Sequence, residues 1–322
     1  MSHLLYHKRP FPAEVFERIF KAWNELDDMS AIQAGKQIGY FLHTLFLFTR
    51  SDWKTMMFPV STFAAVAGPV SSVQQYFIML LWVWTHLLQF NCANQAYSGD
   101  EDKMNKPWRP VPSGRITPRN TMILRWILFP MNLAFSYSIG RPVLYTTMFL
   151  TSAEYLYNEM ECSKHPVFKN ALNVAGYGGF KTGATLVASS GLWLDDVALQ
   201  ALTLSCSVIF TTIHAQDFPD YDGDLAEGRR TLPILYPEGA RLYMAAILVA
   251  WSAALTMLWN LGPVCSVIYI TAGSFIAWRF YTKRGYNKRG VRYDEKTYLL
   301  YNIWLLCAVI LPVNERFHIL SF

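Results

Sequence analysis

Apolar residues along the chain are gathered into long runs that are separated by short polar segments. A helix of roughly 20 apolar residues is long enough to cross a lipid bilayer. The sequence contains nine such runs, so the pattern predicts nine transmembrane helices. They lie at 54–72, 76–97, 120–139, 142–158, 168–190, 196–215, 241–260, 263–281 and 297–313.

The N-terminal part of the chain departs from this regular pattern. Pro59 and Pro69 interrupt the first run. The segment 31–48 is apolar but short, which is typical of a helix that lies at the membrane interface, although a tenth span is the alternative. We therefore divide the chain into an N-terminal cytoplasmic or interfacial segment, 1–53, and a single transmembrane domain, 54–322.

The composition agrees with an integral membrane protein. Of the 322 residues, 52% are hydrophobic and only 16% are charged, which is far more apolar than an ordinary soluble domain. The five cysteines are scattered without CxxC or Cys/His spacing, so we expect neither a zinc site nor a disulfide framework. We find no nucleotide-binding or nucleic-acid-binding motif and expect no nucleic-acid partner.

Lys and Arg residues test the predicted topology independently, because loops on the cytoplasmic side of a membrane collect basic residues. Of the 28 basic residues, 24 fall in the N-terminal segment or near the loops that follow the even-numbered spans. Only Arg141 and Arg316 fall on the other side, while Arg125 and Lys181 lie within spans. The bias predicts a cytoplasmic N-terminus and puts the loops after the second and sixth spans on the cytoplasmic face. In a eukaryote, the endoplasmic reticulum is the expected membrane.

These two loops carry the densest acidic clusters in the sequence. The first is NQAYSGDEDKMNKPWRPVPSGR, residues 94–115, and the second is HAQDFPDYDGDLAEGRRTLP, residues 214–233. Residues four apart share one face if the helix continues beyond the membrane edge. That spacing occurs in both clusters, in Asn94, Ser98 and Asp102 and in Asp220 and Asp224.

The residue types in the two clusters suit a magnesium-diphosphate site. Oxygen ligands without thiols or imidazoles are typical of Mg²⁺, which keeps several waters and shares its other positions with substrate phosphates. Basic side chains neutralise phosphate oxygens directly. The candidate metal ligands are Asn94, Ser98, Asp102, Asp217, Asp220 and Asp224, and the candidate diphosphate-binding residues are Lys106, Arg109, Arg115, Arg229 and Arg230.

Two other interpretations of the clusters stay open at this point. Acidic runs beside basic ones at a membrane edge are usually solvated loops, although two clusters with the same spacing and position are harder to explain in this way. The stretch DYDGD is similar to a calcium-binding loop, which carries a bidentate Glu at its twelfth position. Here that position is Gly228 or Thr231, depending on the first residue counted, so calcium is not expected.

Together, the clusters and the predicted spans resemble the UbiA superfamily of intramembrane prenyltransferases. Family members typically carry NDxxDxxxDxxxNKPxRPxxSG after the second helix and a DxxDxxGDxxxGxxTLP-like stretch after the sixth. The resemblance covers nearly the whole chain. The first motif is matched by Asn94, Asp102, Asn105, Lys106, Pro107, Arg109, Pro110, Ser113 and Gly114, and the second by Asp217, Asp220, Gly223, Asp224, Gly228, Thr231, Leu232 and Pro233.

The resemblance implies an all-α membrane protein, a UbiA-type bundle of nine transmembrane helices around a lipid-open central cavity. It also implies two Mg²⁺ ions, held by both motifs, that bind a polyprenyl diphosphate substrate in this cavity. Membrane lipid is the other expected partner, and no obligate protein partner is implied.

One part of the first motif departs from the family pattern. Gln95 and Ser98 stand where the family usually has Asp, so the first metal site loses two carboxylates. Glu101 is a candidate replacement ligand only if the helix end is bent or unwound. A first motif that keeps Asn94 and Asp102 around a small residue is similar to that of fungal UbiA-type terpene cyclases, which favours cyclisation as the reaction.

The leading functional hypothesis is a membrane-bound class I terpene cyclase that ionises a C15 or C20 polyprenyl diphosphate and cyclises it. Aromatic faces attract the carbocations of such a reaction by roughly 0.5–2 kcal/mol each. The aromatic candidates for the cavity wall are Trp82, Trp84, Tyr155, Tyr157, Tyr177, Phe180 and Trp193.

Two further functional hypotheses remain. The first is transfer of the prenyl group to an aromatic or other small acceptor. Lys181 and Glu154 are then catalytic candidates, because charges within spans are costly and often functional, although they could instead pair with each other. The second is a transporter or receptor, which is disfavoured because the acidic residues lie at one membrane face and no inverted repeat is evident.

Overall fold

The structure is a computed structural model that describes residues 21, 31–97, 102, 106–162, 165–191, 193–226, 228, 230–288 and 290–322. Within these ranges the chain forms helices and loops without a β-strand, apart from an isolated antiparallel bridge between Tyr286 and Arg292. The predicted all-α class is therefore confirmed.

Four of the long helices begin at a proline, whose fixed φ and missing N–H suit the first helical turn. These prolines are Pro118, Pro166, Pro237 and Pro263. The helices are α1 Ala31–Thr49, α2 Phe58–Ala67, α3 Val73–Tyr97, α4 Pro118–Ile139, α5 Arg141–Asn158, α6 Pro166–Ala188, α7 Asp196–Thr212, α8 Tyr221–Ala226, α9 Leu232–Leu235, α10 Pro237–Leu258, α11 Pro263–Thr282, α12 Tyr293–Ile310 and α13 Val313–Phe317.

Six helical segments among the described residues are long and apolar enough to cross a membrane. They are Val73–Tyr97, Pro118–Ile139, Asp196–Asp217, Pro237–Leu258, Pro263–Thr282 and Tyr293–Phe317. The other three predicted spans correspond to α2, α5 and α6. Helix α2 has only 10 residues, and α5 and α6 carry Glu154 and Lys181 in their interiors. An integral membrane protein is confirmed, while the count of nine spans stays a prediction.

The segment that was predicted as the first span is not one continuous helix. Residues Arg50–Asp52 form a 3-10 turn and residues Trp53–Met57 form a π-helical turn before α2 begins. The proline at the start of α2 is tolerated because the first turn does not need its N–H. Short π segments inside helices occur frequently at functional sites. Here the irregular turns precede a short helix that touches two hydrophobic cores.

The bundle has two large hydrophobic cores that meet at α2. Val60 and Ala64 belong to the core that contains α3 and α6, and Phe63 and Ala67 belong to the core that contains α7, α10, α11 and α12. Both pairs have the i, i+4 spacing of one helix face, so α2 presents two neighbouring faces to two cores. The short helix therefore ties the two groups of helices together.

Helix α6 packs closely against its neighbours through a row of glycines. A Cβ atom at Gly183 would lie 2.1 Å from Trp82 Cη2, and one at Gly179 would lie 2.6 Å from Leu150 Cδ2. Small residues let helix backbones approach closely in membranes, where no hydrophobic effect drives helices together. A Cβ atom at Gly176 would meet nothing within 4 Å. Position 176 therefore differs from the two glycines that make close contacts.

Candidate active site

A cavity of about 660 Å³ is lined by α3, α5, α6, α12 and the loops near one end of these helices. Its volume lies in the range of about 300–1,000 Å³ that is typical of small-molecule sites. The lining divides into a charged region, contributed mainly by loops and turns, and an interior that is largely aromatic and aliphatic.

The charged region combines lysines with carboxylates from segments that are distant in the sequence. Asp52 and Lys54 come from the turns before α2, Lys106 from the loop after α3, and Asp220 from the segment after α7. The lining also includes Glu295 and Lys296 at the start of α12. The structure thus brings both predicted loops, through Lys106 and Asp220, to one cavity.

Tyr298 lines the cavity together with Asp52 and Asp220. The carboxylates of Asp52, Asp217 and Asp220 all act electrostatically on its hydroxyl. Carboxylates from the turns before α2 and from the segment after α7 therefore belong to the surroundings of one cavity residue.

The second acidic segment is helical but not continuous with α7. The chain tightens into a 3-10 turn at Ile213–Asp217 and resumes as α8. The backbone N–H of Asp224 donates to the carbonyl of Asp220 at 2.9 Å, so these two residues are one turn apart, as predicted. Asp217 is buried, and its Oδ1 lies 3.5 Å from Lys169 Nζ. It is also within electrostatic range of the Asp220 and Asp224 carboxylates. Asp220 lines the cavity.

Of the first acidic segment, Ser98 and Glu101 lie outside the described residues. Asp102 is buried and accepts two hydrogen bonds from Arg109 Nη1, at 2.8 and 2.9 Å. Arg109 Nη2 also donates to Ser51 Oγ at 3.2 Å. The predicted ligand Asp102 and the predicted phosphate binder Arg109 therefore pair with each other, outside the lining of the cavity. Their pair fastens this loop to the turn that carries Asp52.

The remaining predicted bases are divided among different surroundings. Arg115 donates to Thr44 Oγ1 at 3.2 Å and stacks 4.0 Å from the Tyr40 ring centroid, so it contacts α1. Arg230 is exposed, and Arg229 lies outside the described residues. Among the predicted bases of the described ranges, only Lys106 lines the large cavity.

The predicted pairing of Lys181 with Glu154 does not occur. Lys181 donates to Ser205 and lies 5.1 Å from the Phe63 ring centroid, beside a separate cavity of about 40 Å³. Glu154 pairs with Arg125 instead and lines the large cavity. A catalytic role of Lys181 stays a prediction.

Aromatic side chains line much of the cavity interior. Of the predicted candidates, Tyr157, Tyr177 and Phe180 are in the lining, and Phe90 and Tyr298 join them. Trp82 lies behind this wall, where it donates to Ser136 Oγ at 2.8 Å and contacts the Phe180 ring edge. Trp84, Tyr155 and Trp193 are outside the lining, and Trp193 is 85% exposed.

The comparison with known proteins agrees with this arrangement. Residues 56–306 match the UbiA prenyltransferase family, which is most of the chain. The chain belongs to this family. A UbiA-family chain is expected to be an enzyme, and the aligned region contains both acidic segments.

Relatives of this UbiA-family chain include two fungal proteins. Fumagillin beta-trans-bergamotene synthase of Aspergillus fumigatus is 33% identical over 291 residues, which cover 88% of this chain and 96% of that protein. Diterpene cyclase eriG of Hericium erinaceus is 31% identical over 293 residues, which cover 84% of this chain and 87% of that protein. A solved UbiA homolog from Archaeoglobus fulgidus, bound to DMAPP and Mg²⁺, has the same fold, with a TM-score of 0.61 and 14% identity over 84% of this chain and 99% of that chain.

The structure explains one departure from the UbiA motif. Gln95 is fully buried, and its Nε2 donates to the carbonyl oxygen of Phe48 at 3.3 Å. This side chain therefore packs against α1 instead of the cavity. An Asp at the same position would bring a charge and lose this donor.

Four charged lining residues were missed by the sequence reasoning: Asp52, Lys54, Glu295 and Lys296. Burial raises the pKa of Asp52, and the charges of the nearby Arg109 and Lys106 oppose this shift. The only available signal for the lysines was their location on the predicted cytoplasmic face. Nothing in the sequence pattern distinguished them from other basic residues there.

Proposed function

We propose that this UbiA-family chain is a Mg²⁺-dependent, membrane-bound terpene cyclase. Its substrate is a C15 or C20 polyprenyl diphosphate, and its reaction is ionisation of the allylic C–O bond followed by intramolecular cyclisation. Two fungal relatives, whose names describe a terpene synthase and a diterpene cyclase, support cyclisation.

The observation that carries the proposal is the division of the cavity into a charged and an aromatic region. Lys54, Lys106 and Lys296 supply positive charge for diphosphate oxygens. The prenyl chain then extends into the region of Tyr157, Tyr177 and Phe180, where aromatic faces stabilise positive charge and the wall excludes water. A transporter or receptor needs no such pairing of a phosphate-binding region with an aromatic one.

The oxygen ligands near the charged region fit Mg²⁺. No three His, Cys, Asp or Glu side chains of the described residues form a ready-made metal site. Mg²⁺ needs only one or two carboxylates, because water and substrate phosphates fill its other positions. When bound, Mg²⁺ neutralises charge that develops on the departing diphosphate. The proposed ligands are Asp217, Asp220 and Asp224 in the second motif and Asn94, Ser98, Glu101 and Asp102 in the first.

The proposal includes an orientation in the membrane. Nine spans with a cytoplasmic N-terminus put the charged region at the cytoplasmic face, where a water-soluble diphosphate group is accessible. An opening of the cavity toward lipid lets the prenyl chain be bound from the membrane. In a eukaryote, the endoplasmic reticulum is the proposed location.

Product analysis tests the proposed reaction. Purified protein in lipid vesicles is incubated with Mg²⁺ and the C10, C15 or C20 prenyl diphosphate, without an acceptor, and hydrocarbons and released diphosphate are measured. Cyclic hydrocarbons from the C15 or C20 substrate are expected. Products that form only after an aromatic acceptor is added would show prenyl transfer instead, and no diphosphate release under any condition would refute both reactions.

Removing the proposed metal site is expected to stop the reaction. Asp220→Ala should lower the turnover by about 10²–10³-fold, comparable to the loss of one group that stabilises transition-state charge. Asp196→Ala, which removes an exposed acid at the start of α7, is the matched control and should keep parental turnover. EDTA should likewise abolish activity and Mg²⁺ restore it. Activity that is indifferent to both changes would exclude the metal site.

A further inference from the structure

A buried ionic cluster borders the interior of the cavity. Arg125 Nε lies 2.9 Å from Glu154 Oε1, and Arg125 Nη2 lies 2.8 Å from Glu159 Oε1. The side chains of Arg125 and Glu154 are 1% and 5% exposed. One guanidinium therefore faces two carboxyl groups in this cluster.

Glu154 is the charged member of this cluster that reaches the cavity wall. Arg125 and Glu159 are not in the lining, whereas Glu154 and its neighbour Gln89 are. Gln89 Nε2 donates to Glu154 Oε2 at 2.8 Å, and Asn132 Nδ2 donates to Gln89 Oε1 at 3.0 Å. The carboxylate is thus held from α3 and α4 while it lies beside the reaction space.

Glu154 retains acceptor capacity beyond its two described hydrogen bonds. An ionised carboxylate has about four lone-pair sites. Within the described part of the chain, Oε1 accepts from Arg125 and Oε2 accepts from Gln89. A purely structural ion pair has no need to line a cavity, and burying one is costly.

We propose that Glu154 is the base that ends the cyclisation. This inference rests on the proposed cyclase function. After the diphosphate has left with the C–O electron pair and a ring C–C bond has formed, a C–H bond next to the cationic carbon breaks. Its electron pair forms the C=C bond of the product, and its proton passes to a Glu154 carboxylate oxygen. The proton is then passed to water or to the released diphosphate, which regenerates the carboxylate.

The position of Glu154 gives the step a definite outcome. It comes from α5, one turn before that helix ends at Asn158, whereas the lysines proposed to hold the diphosphate come from other segments of the lining. A base fixed in the α5 wall removes a proton from the carbons that lie against it, whereas the diphosphate removes one from carbons beside the lysines. The location of the product double bond therefore distinguishes the two bases.

Glu154→Gln tests the proposal, because the amide keeps the shape and an acceptor for Arg125 but cannot take the proton. Diphosphate release should stay near the parental rate, while the share of the main alkene should fall about tenfold, less than the ~10²-fold typical of a positioned base because the diphosphate can substitute for it. Alcohols or alkenes with the double bond elsewhere should replace the main product.

Glu159→Gln is the matched control, since it removes the other carboxylate on Arg125 without changing the wall, and its product mixture should equal that of the parent. An unchanged mixture from Glu154→Gln would overturn the proposal. If that variant does not accumulate, Glu154→Asp retracts the carboxylate and should shift the alkene ratio, and an unchanged ratio overturns the proposal equally. Absence of diphosphate release from the parent protein would instead refute the proposed function.

Discussion

At the scale of single residues, Gly176 is the position where the cavity wall has space to spare. It lines the cavity, and a Cβ atom there meets nothing within 4 Å. A side chain at position 176 therefore begins in open space and occupies cavity volume. Replacing a glycine inside a helix also favours folding by roughly 0.5–1 kcal/mol.

We therefore predict that Gly176→Leu shortens the preferred substrate. The ratio of kcat/KM for the C15 over the C20 diphosphate should rise about tenfold or more, because one or two extra methylenes cost about 1–3 kcal/mol in a hydrophobic pocket. Gly35→Leu is the control, since Gly35 also has open space around it but lies on α1. An equal change in both variants would contradict the assignment of this wall.

The residues of the site were only partly predictable. Lys106 and Asp220 were found because motif spacing put them at the ends of apolar runs, where the structure shows them lining the cavity. The pairing of Asp102 with Arg109 was not found, since spacing does not reveal which charges neutralise each other. Asp52 was missed because its location depends on 3-10 and π turns that have no periodic signature.

At the scale of elements, α8 is connected to the loop between α11 and α12. Asp222 accepts hydrogen bonds from the Tyr286 hydroxyl and, at 2.6 Å, from Arg292 Nη1. This loop contains Val291 and leads into Glu295 at the start of α12, and both residues line the cavity. These hydrogen bonds hold the pKa of Asp222 below its ordinary value. The connection is therefore fully formed at pH values above the ordinary Asp pKa. It is lost as the pH falls through the lowered pKa of Asp222.

Asp222→Ala is expected to loosen this loop. Backbone amides of 285–293 should exchange hydrogen faster, and KM should rise severalfold with a smaller change in kcat, because the residue does not line the cavity. Asp195→Ala removes an exposed ion pair with Arg316 and a helix cap elsewhere, and it should leave both quantities at parental values. Unchanged exchange in 285–293 would show that the connection does not order the loop.

Helix positions were predictable to within about one turn for the eight later spans, because long apolar runs have few alternatives in a membrane. The breaks were not predictable. Helix α7 narrows to a 3-10 turn at Ile213, and the chain before α2 passes through two irregular turns. In both places tertiary packing overrides the local pattern.

At the scale of the whole molecule, the charged lining residues gather where the sequence predicts the cytoplasmic side. The residues Asp52, Lys106 and Asp220 come from three separate connections, Lys296 comes from the start of α12, and all four line one cavity. Such convergence requires the connections to lie at one end of the bundle. In the proposed topology, the basic residues therefore contribute both to orientation in the membrane and to the site.

Cysteine labelling checks this orientation. In a background without the five native cysteines, Lys288→Cys should react with an impermeant maleimide added to vesicles whose cytoplasmic face is outside. Asp196→Cys should react only after permeabilisation, because it follows an odd-numbered predicted span. Both sites are exposed in the described structure, so equal labelling of intact vesicles would contradict the nine-span topology.

The glycine row of α6 also has an evolutionary consequence. A side chain at Gly179 would collide with Leu150, and one at Gly183 would collide with Trp82. Substitutions at these two glycines therefore require compensating substitutions at Leu150 or Trp82. Position 176, on the same helix, is under no such restriction, and a single nucleotide change turns a glycine codon into one for alanine or valine. Natural variants of this scaffold can therefore acquire new terpenoid products through one small mutation, while the ionisation chemistry is inherited intact.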